Sequence, residues 1–151
     1  MYKKVLVPLD GSKLAECAVN HVQSLCKEGS IGSVTLLNLV KVEVPWHRFD
    51  LKDFNIVEIR EKSFKSSRKY LADVKSRLSA EGIKVKTESI EAERPVYAII
   101  DYAQNNGMDL IVIATHGITG MKRMLLGSVA FGVLHQSHVP VLLVRPESCQ
   151  P

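Results

Sequence analysis

Five strand-like runs punctuate this chain, and longer stretches with helical spacing separate them. The runs are Val5-Leu6-Val7, Val34-Thr35-Leu36-Leu37-Asn38-Leu39-Val40, Lys84-Val85-Lys86-Thr87-Glu88-Ser89-Ile90, Leu110-Ile111-Val112-Ile113-Ala114 and Val141-Leu142-Leu143-Val144. Each has the length and residue types of a strand. Nearly continuous apolar character, as in the second and fourth runs, implies burial on both faces of a sheet, the signature of central parallel strands. The third run alternates polar and apolar positions and is expected nearer an edge.

Four helices are predicted between the runs. Leu14, Ala18, Val22 and Leu25 share one side of the first, which Ser12 would cap and which ends near Gly29. The longest covers roughly residues 56 to 81, with Leu71, Val74 and Leu78 inward and Gly82 as its stop. The third starts at Pro95, carries Val96, Ile99, Ile100 and Ala103 at i, i+3, i+4 and i+7, and ends at Gly107. The fourth places Leu126, Val129, Ala130, Val133 and Leu134 on one face.

Strands alternating with helices argue for an α/β fold: an open parallel five-stranded sheet with helices on both faces. The 151 residues suit a single domain over 1–151. The stretch 41–55, with Pro45, Trp46 and His47, lacks periodicity and is expected to be a mobile loop, a lid or partner surface. Residues 146–151 read as a tail.

Composition narrows the function classes. Hydrophobic residues make up 46% and charged residues 24%, an ordinary globular mixture. The net charge of +4 is mild and spread along the chain, and no aromatic-rich basic strand occurs, which argues against nucleic acid as a partner. No apolar run reaches the roughly 20 residues of a membrane span. The apolar start Val5-Leu6-Val7-Pro8 is too short for a signal peptide, so a cytoplasmic location is expected. Cys17, Cys26 and Cys149 show no metal-ligand spacing, and His135 and His138 lack an evident third ligand.

In an open parallel sheet, ligands bind beyond the carboxyl ends of the strands, where strand order reverses. Two strand ends stand out: Val7-Pro8-Leu9-Asp10-Gly11-Ser12, and the segment from Ile113 through Gly117 and Gly120 to Gly127-Ser128. Glycines there let backbone N–H groups approach an anion, and Gly127-Ser128 opens the fourth helix, whose N-terminus attracts negative charge. Lys122 and Arg123 either add local positive charge or face water. The segment lacks both the Gly-Lys-Ser/Thr of a Walker loop and the Gly-x-Gly-x-x-Gly fingerprint. Read physically, it is a phosphate cradle or a connector shaped only by turn geometry.

The segments Lys3-Lys4-Val5-Leu6-Val7-Pro8-Leu9-Asp10-Gly11-Ser12, Asp109 to Gly117, Leu125 to Ala130 and Val139 to Arg145 together make the chain resemble the small single-domain universal stress proteins along nearly its whole length. That resemblance implies a Rossmann-like sheet of the adenine-nucleotide α-hydrolase-like kind. ATP-binding members carry Gly, two residues, Gly, nine residues, then Gly and Ser or Thr. Gly117, Gly127 and Ser128 match this pattern, and Ala114 stands in the first position. The resemblance implies that Pro8, Leu9 and Asp10 line the adenosine side, with Asp10 bonding a ribose hydroxyl or helping to hold Mg2+. Leu39 or Val40 would offer backbone groups to the adenine edge, and Ile113 and Ala114 would lie beneath the nucleotide. Gly117, Gly127, Ser128 and Val129 would hold phosphates through their N–H groups.

The function implied is that of a regulatory protein binding ATP or AMP, with little or no hydrolysis. It would form a homodimer through Val141–Val144 and act on a signalling partner of unknown identity. Ala114 keeps open an interaction module of the same fold that binds no nucleotide. A slow ATPase is the third reading, for which Asp10, Lys122 and Arg123 are the candidate groups.

Overall fold

The computed structural model describes residues 1–44, 55–116 and 126–146. Residues 45–54 of the loop expected over 41–55, Gly117, Gly120, Lys122, Arg123, Cys149 and the tail beyond Pro146 lie outside them; of that loop's ends, 41–44 form no helix or strand and Asn55 caps the helix that starts at Ile56.

The elements alternate as the periodicities predict. They are β1 (Tyr2–Leu9), α1 (Cys17–Lys27), β2 (Ile31–Val40), α2 (Ile56–Ser79), β3 (Val85–Glu91), α3 (Pro95–Asn105), β4 (Leu110–Ala114), α4 (Ser128–Gln136) and β5 (Val141–Val144). All strand pairs are parallel, in the order β3-β2-β1-β4-β5. The alternating run is indeed an edge. The apolar β5 forms the other edge, so its composition reads as more central than its position.

Side chains in a strand point alternately to opposite faces, so one apolar run supplies two cores. Val5, Val7 and Leu9 of β1, with Leu110 and Val112 of β4, face α1 and α2, where Val22, Leu71, Val74 and Leu78 pack. Leu6, Leu37, Ile111 and Ile113 face the other side, where Ile99 and Ala103 of α3 meet Ala130 and Val133 of α4.

Two helices differ in detail from expectation. Ser12 does not cap α1 directly. Its Oγ accepts from Ala15 N at 3.1 Å and its carbonyl from Glu16 N at 3.3 Å, closing a lead-in turn before the helix starts at Cys17. In α4, Leu134 is 46% exposed and does not join the inward face. Gly132 brings α4 so close to α3 that an added Cβ would meet Val96 Cγ2 at 2.6 Å. That approach turns Ala130 and Val133 inward and leaves Phe131 and Leu134 outside.

One contact at the amino end of the sheet shapes the other end. The Asp109 carboxylate accepts from Lys3 N (2.7 Å) and Lys4 N (3.0 Å), and Asp109 N donates to Lys4 O (3.0 Å). This clamp ties β4 to β1 at their starts.

Candidate functional site

Above that clamp the two central strands part. The β1–β4 register holds Val5 opposite Leu110 and Leu6 opposite Ile111 and goes no further. Beyond it, β1 stays paired to β2 as far as Leu9 opposite Asn38, and β4 to β5 as far as Ala114 opposite Val144. Pro8, which has no N–H to give a ladder, lies in the parted section. This is also the point where strand order reverses, because the chain runs outward through β2 and β3 and returns to β4 on the other side of β1. A crevice at the carboxyl ends of β1 and β4 is the geometric consequence.

The β1 side of the crevice ends in a tight turn. Asp10 is exposed, and its Oδ1 accepts from Ser12 N at 2.9 Å, an Asx-type turn. Gly11 sits at φ +86°, in the left-handed region that glycine enters without a Cβ penalty. Tyr70 of α2 carries a buried hydroxyl near this turn. Burial, with the negative charges of Glu16 and then Asp10, pushes its pKa well above the ordinary tyrosine value.

On the β4 side, Ala114 closes the strand and Thr115 follows, both buried. Thr115 N donates to Val144 O at 2.9 Å, and Thr115 Oγ1 lies 3.0 Å from His116 Nδ1. Among the described residues, none other than glycine has positive φ. A methyl group at Ala114, in extended strand conformation, therefore imposes no backbone strain.

Helix α4 begins against this strand end. Gly127 is its extended N-cap, and Gly127 N donates to Thr115 O at 2.6 Å. A Cβ at Gly127 would stand 2.9 Å from that same oxygen. The first bond inside the helix runs from Phe131 N to Gly127 O at 2.9 Å. The amides of Ser128, Val129 and Ala130 therefore precede any intrahelical acceptor and lie at the positive end of the helix dipole. Gly127, whose N–H the resemblance assigns to a phosphate, here gives that N–H to Thr115 O and lets the helix come close to the strand end, while the next three amides have no intrahelical acceptor.

The sheet thus brings Pro8, Leu9, Asp10, Ile113, Ala114, Gly127, Ser128 and Val129 to one end, with Leu39 and Val40 closing the neighbouring strand. Leu39 is half-buried against the α3–α4 core, and Val40 O accepts from Ala92 N at 3.1 Å. Sequence reasoning missed Asn38 and Ser67. The signal was present: an asparagine inside an apolar strand, and a serine on the same helical stripe as Leu71, Val74 and Leu78.

Among the described residues, no group of three or more His, Cys, Asp or Glu side chains is placed to hold a metal ion. Nor is any helix there long and apolar enough to cross a membrane. Burial raises the pKa of the Cys26 thiol, which keeps it in its unreactive protonated form.

The universal stress protein family model matches residues 1–145. The universal stress protein YxiE of Bacillus subtilis is 34% identical over 156 residues, covering 96% of this chain and 100% of the relative. The solved structure of the hypothetical protein MJ0577 superposes with a TM-score of 0.81 at 32% identity, covering 96% of each chain. Two more distant structures share the fold. One is a universal stress protein in complex with cAMP (TM-score 0.68, 22% identity, 95% of this chain and 97% of the other). The other is that of Archaeoglobus fulgidus in complex with dAMP (TM-score 0.60, 19% identity, 95% and 96%). With its five-stranded sheet of the adenine-nucleotide α-hydrolase-like fold, this chain belongs to the universal stress protein family.

Proposed function

We propose that the protein is a regulatory adenine-nucleotide-binding protein of the stress response that takes ATP or AMP in the crevice between β1 and β4. The observation that carries this reading is the parting of the two strands directly below the α4 N-terminus. There α4 opens against the end of β4, with the amides of Ser128, Val129 and Ala130 ahead of any intrahelical acceptor, and the end of β1 that leads into Asp10 forms the other side of the parting. The phosphates sit on those amides and on the segment containing Gly117, and Asp10 takes a ribose hydroxyl. The backbone of Leu39 or Val40 meets the adenine edge, while Pro8, Leu9, Ile113 and Ala114 line the floor. Mg2+ arrives with the nucleotide, held chiefly by its phosphates. The adenine-type ligands of the two distant structures, cAMP and dAMP, support the same class of ligand here.

Hydrolysis is slow or absent, at most about one turnover per minute against the 1–10³ per second of ordinary enzymes. Titration calorimetry on protein stripped of ligand tests the reading with ATP, ADP and AMP in turn. It expects a dissociation constant well below millimolar for ATP or AMP, and binding by none of the three ends it. The outcome also decides the alternative of an interaction module that binds no nucleotide, which Ala114 favours.

The assembly we propose is a homodimer through β5, acting in the cytoplasm on a signalling partner. The two sheet edges differ in the way that supports it. Strand β3 carries charged residues, with Lys86 Nζ 2.8 Å from Glu88 Oε1, and such charges discourage edge pairing. Strand β5 is Val-Leu-Leu-Val, with its first three residues half-buried.

A further inference from the structure

A line of hydrogen-bonded polar side chains, with Ser67 buried and Asn38 and Ser89 half-buried, ends on the β1 side of the crevice. Asn38 of β2 stands opposite Leu9 of β1 in one register and opposite Ser89 of β3 in the other. Its Nδ2 donates to Leu9 O at 2.8 Å, and its Oδ1 accepts from Ser67 Oγ of α2 at 2.6 Å. Ser67 Oγ is also 2.7 Å from Ser89 Oγ. A hydroxyl has one proton. Ser67 gives its proton to Asn38, so the Ser89 hydroxyl must donate to Ser67. The chain of bonds therefore has one direction, from Ser89 to Ser67 to Asn38 to the Leu9 carbonyl. Successive bonds of this kind polarise and strengthen one another.

The position of this chain is what gives it a role. Leu9 is the last residue of β1, and its carbonyl belongs to the peptide that leads into Asp10. Asn38 immediately precedes Leu39 and Val40. One side chain thus joins the two backbone segments that flank the adenosine half of the crevice. Polar groups inside an apolar strand and on the buried stripe of a helix carry a desolvation cost that apolar residues would avoid. Simple packing at Ser67, which is 7% exposed beside Leu71, does not call for a hydroxyl.

We propose that Asn38, oriented by Ser67 and Ser89, is a positioning residue that sets the Leu9–Asp10 peptide and thereby determines discrimination for the ribose 2′-hydroxyl. The proposal rests on the nucleotide reading above. Calorimetry with ATP and 2′-deoxy-ATP on the full chain, as wild type, Asn38→Ala and Ser67→Ala, tests it; AMP and 2′-deoxy-AMP replace them if the wild type binds only the monophosphate. The wild type should prefer the ribonucleotide. Loss of one net hydrogen bond in Asn38→Ala should weaken ribonucleotide binding about fivefold to tenfold, and leave the deoxy compound within about twofold. Ser67→Ala, which places the best helix former in α2 and so protects folding, should give a smaller loss with the same selectivity. An equal loss for both sugars, or no loss in either variant, overturns the positioning role while leaving the nucleotide reading intact. A wild type that binds neither nucleotide ends both.

Discussion

Gly127→Ala tests the joint between β4 and α4. The added Cβ would stand 2.9 Å from Thr115 O, a backbone atom that cannot swing aside. Restoring ordinary contact requires the helix start and the strand end to separate by about 0.5 Å. That separation stretches the Gly127 N to Thr115 O bond, now 2.6 Å, whose net worth is about 0.5–1.5 kcal/mol. Forcing a methyl into a packed site adds about 1–3 kcal/mol, and alanine is a poor N-cap compared with glycine. The expected loss is about 2–4 kcal/mol of folding stability, with the melting temperature lower by about 5–15 °C. Chemical denaturation measures the first and a thermal scan the second. The same displacement moves the Ser128, Val129 and Ala130 amides, so nucleotide affinity should fall at least about tenfold. A variant with stability within about 0.5 kcal/mol of wild type would refute the close-approach argument.

Three further perturbations separate the parts of the fold. Asp109→Ala removes the acceptor of the Lys3 and Lys4 amides and should cost about 1–2 kcal/mol in denaturant unfolding, with nucleotide affinity unchanged because the clamp lies at the opposite end of the sheet. The raised pKa of Tyr70 means that the folded state favours the protonated phenol. Its stabilising effect is complete below the unfolded value of 10.0 and is lost as pH rises beyond it, so Tyr70→Phe should flatten the alkaline fall in stability followed by circular dichroism. Leu142→Lys places a charge on the apolar edge, and sedimentation should then find a monomer where the wild type is dimeric; an unchanged dimer would move the interface away from β5.

Much of this architecture was legible in the sequence because strand and helix periodicities are strong here. Leu110–Ala114 and Val141–Val144 coincide with their runs, and Pro95 opens α3 as its fixed φ suggests. What escaped depends on contacts between elements. Strand β1 begins at Tyr2, three residues before its apolar run, because Tyr2 pairs with Ile31 and Lys4 with Ser33. Leu134 points outward because Gly132 meets Val96, a relation between two helices that α4 alone cannot reveal. The candidate site divides in the same way. Asp10, Ala114, Gly127 and Ser128 stand out by residue type and spacing. The parting of β1 from β4 follows from strand order, and the Gly127 N–H bond to Thr115 O is a contact between the start of α4 and the end of β4.

The most direct test of the nucleotide crevice is residue-resolved amide NMR during titration with ATP and then AMP. The account predicts saturating shifts at Asp10, Gly11 and Ser12, at Leu39 and Val40, and most strongly at Ser128, Val129 and Ala130. The Lys3, Lys4 and Asp109 amides should stay in place. Saturating shifts confined to any other surface, or none at all with either nucleotide, would contradict it.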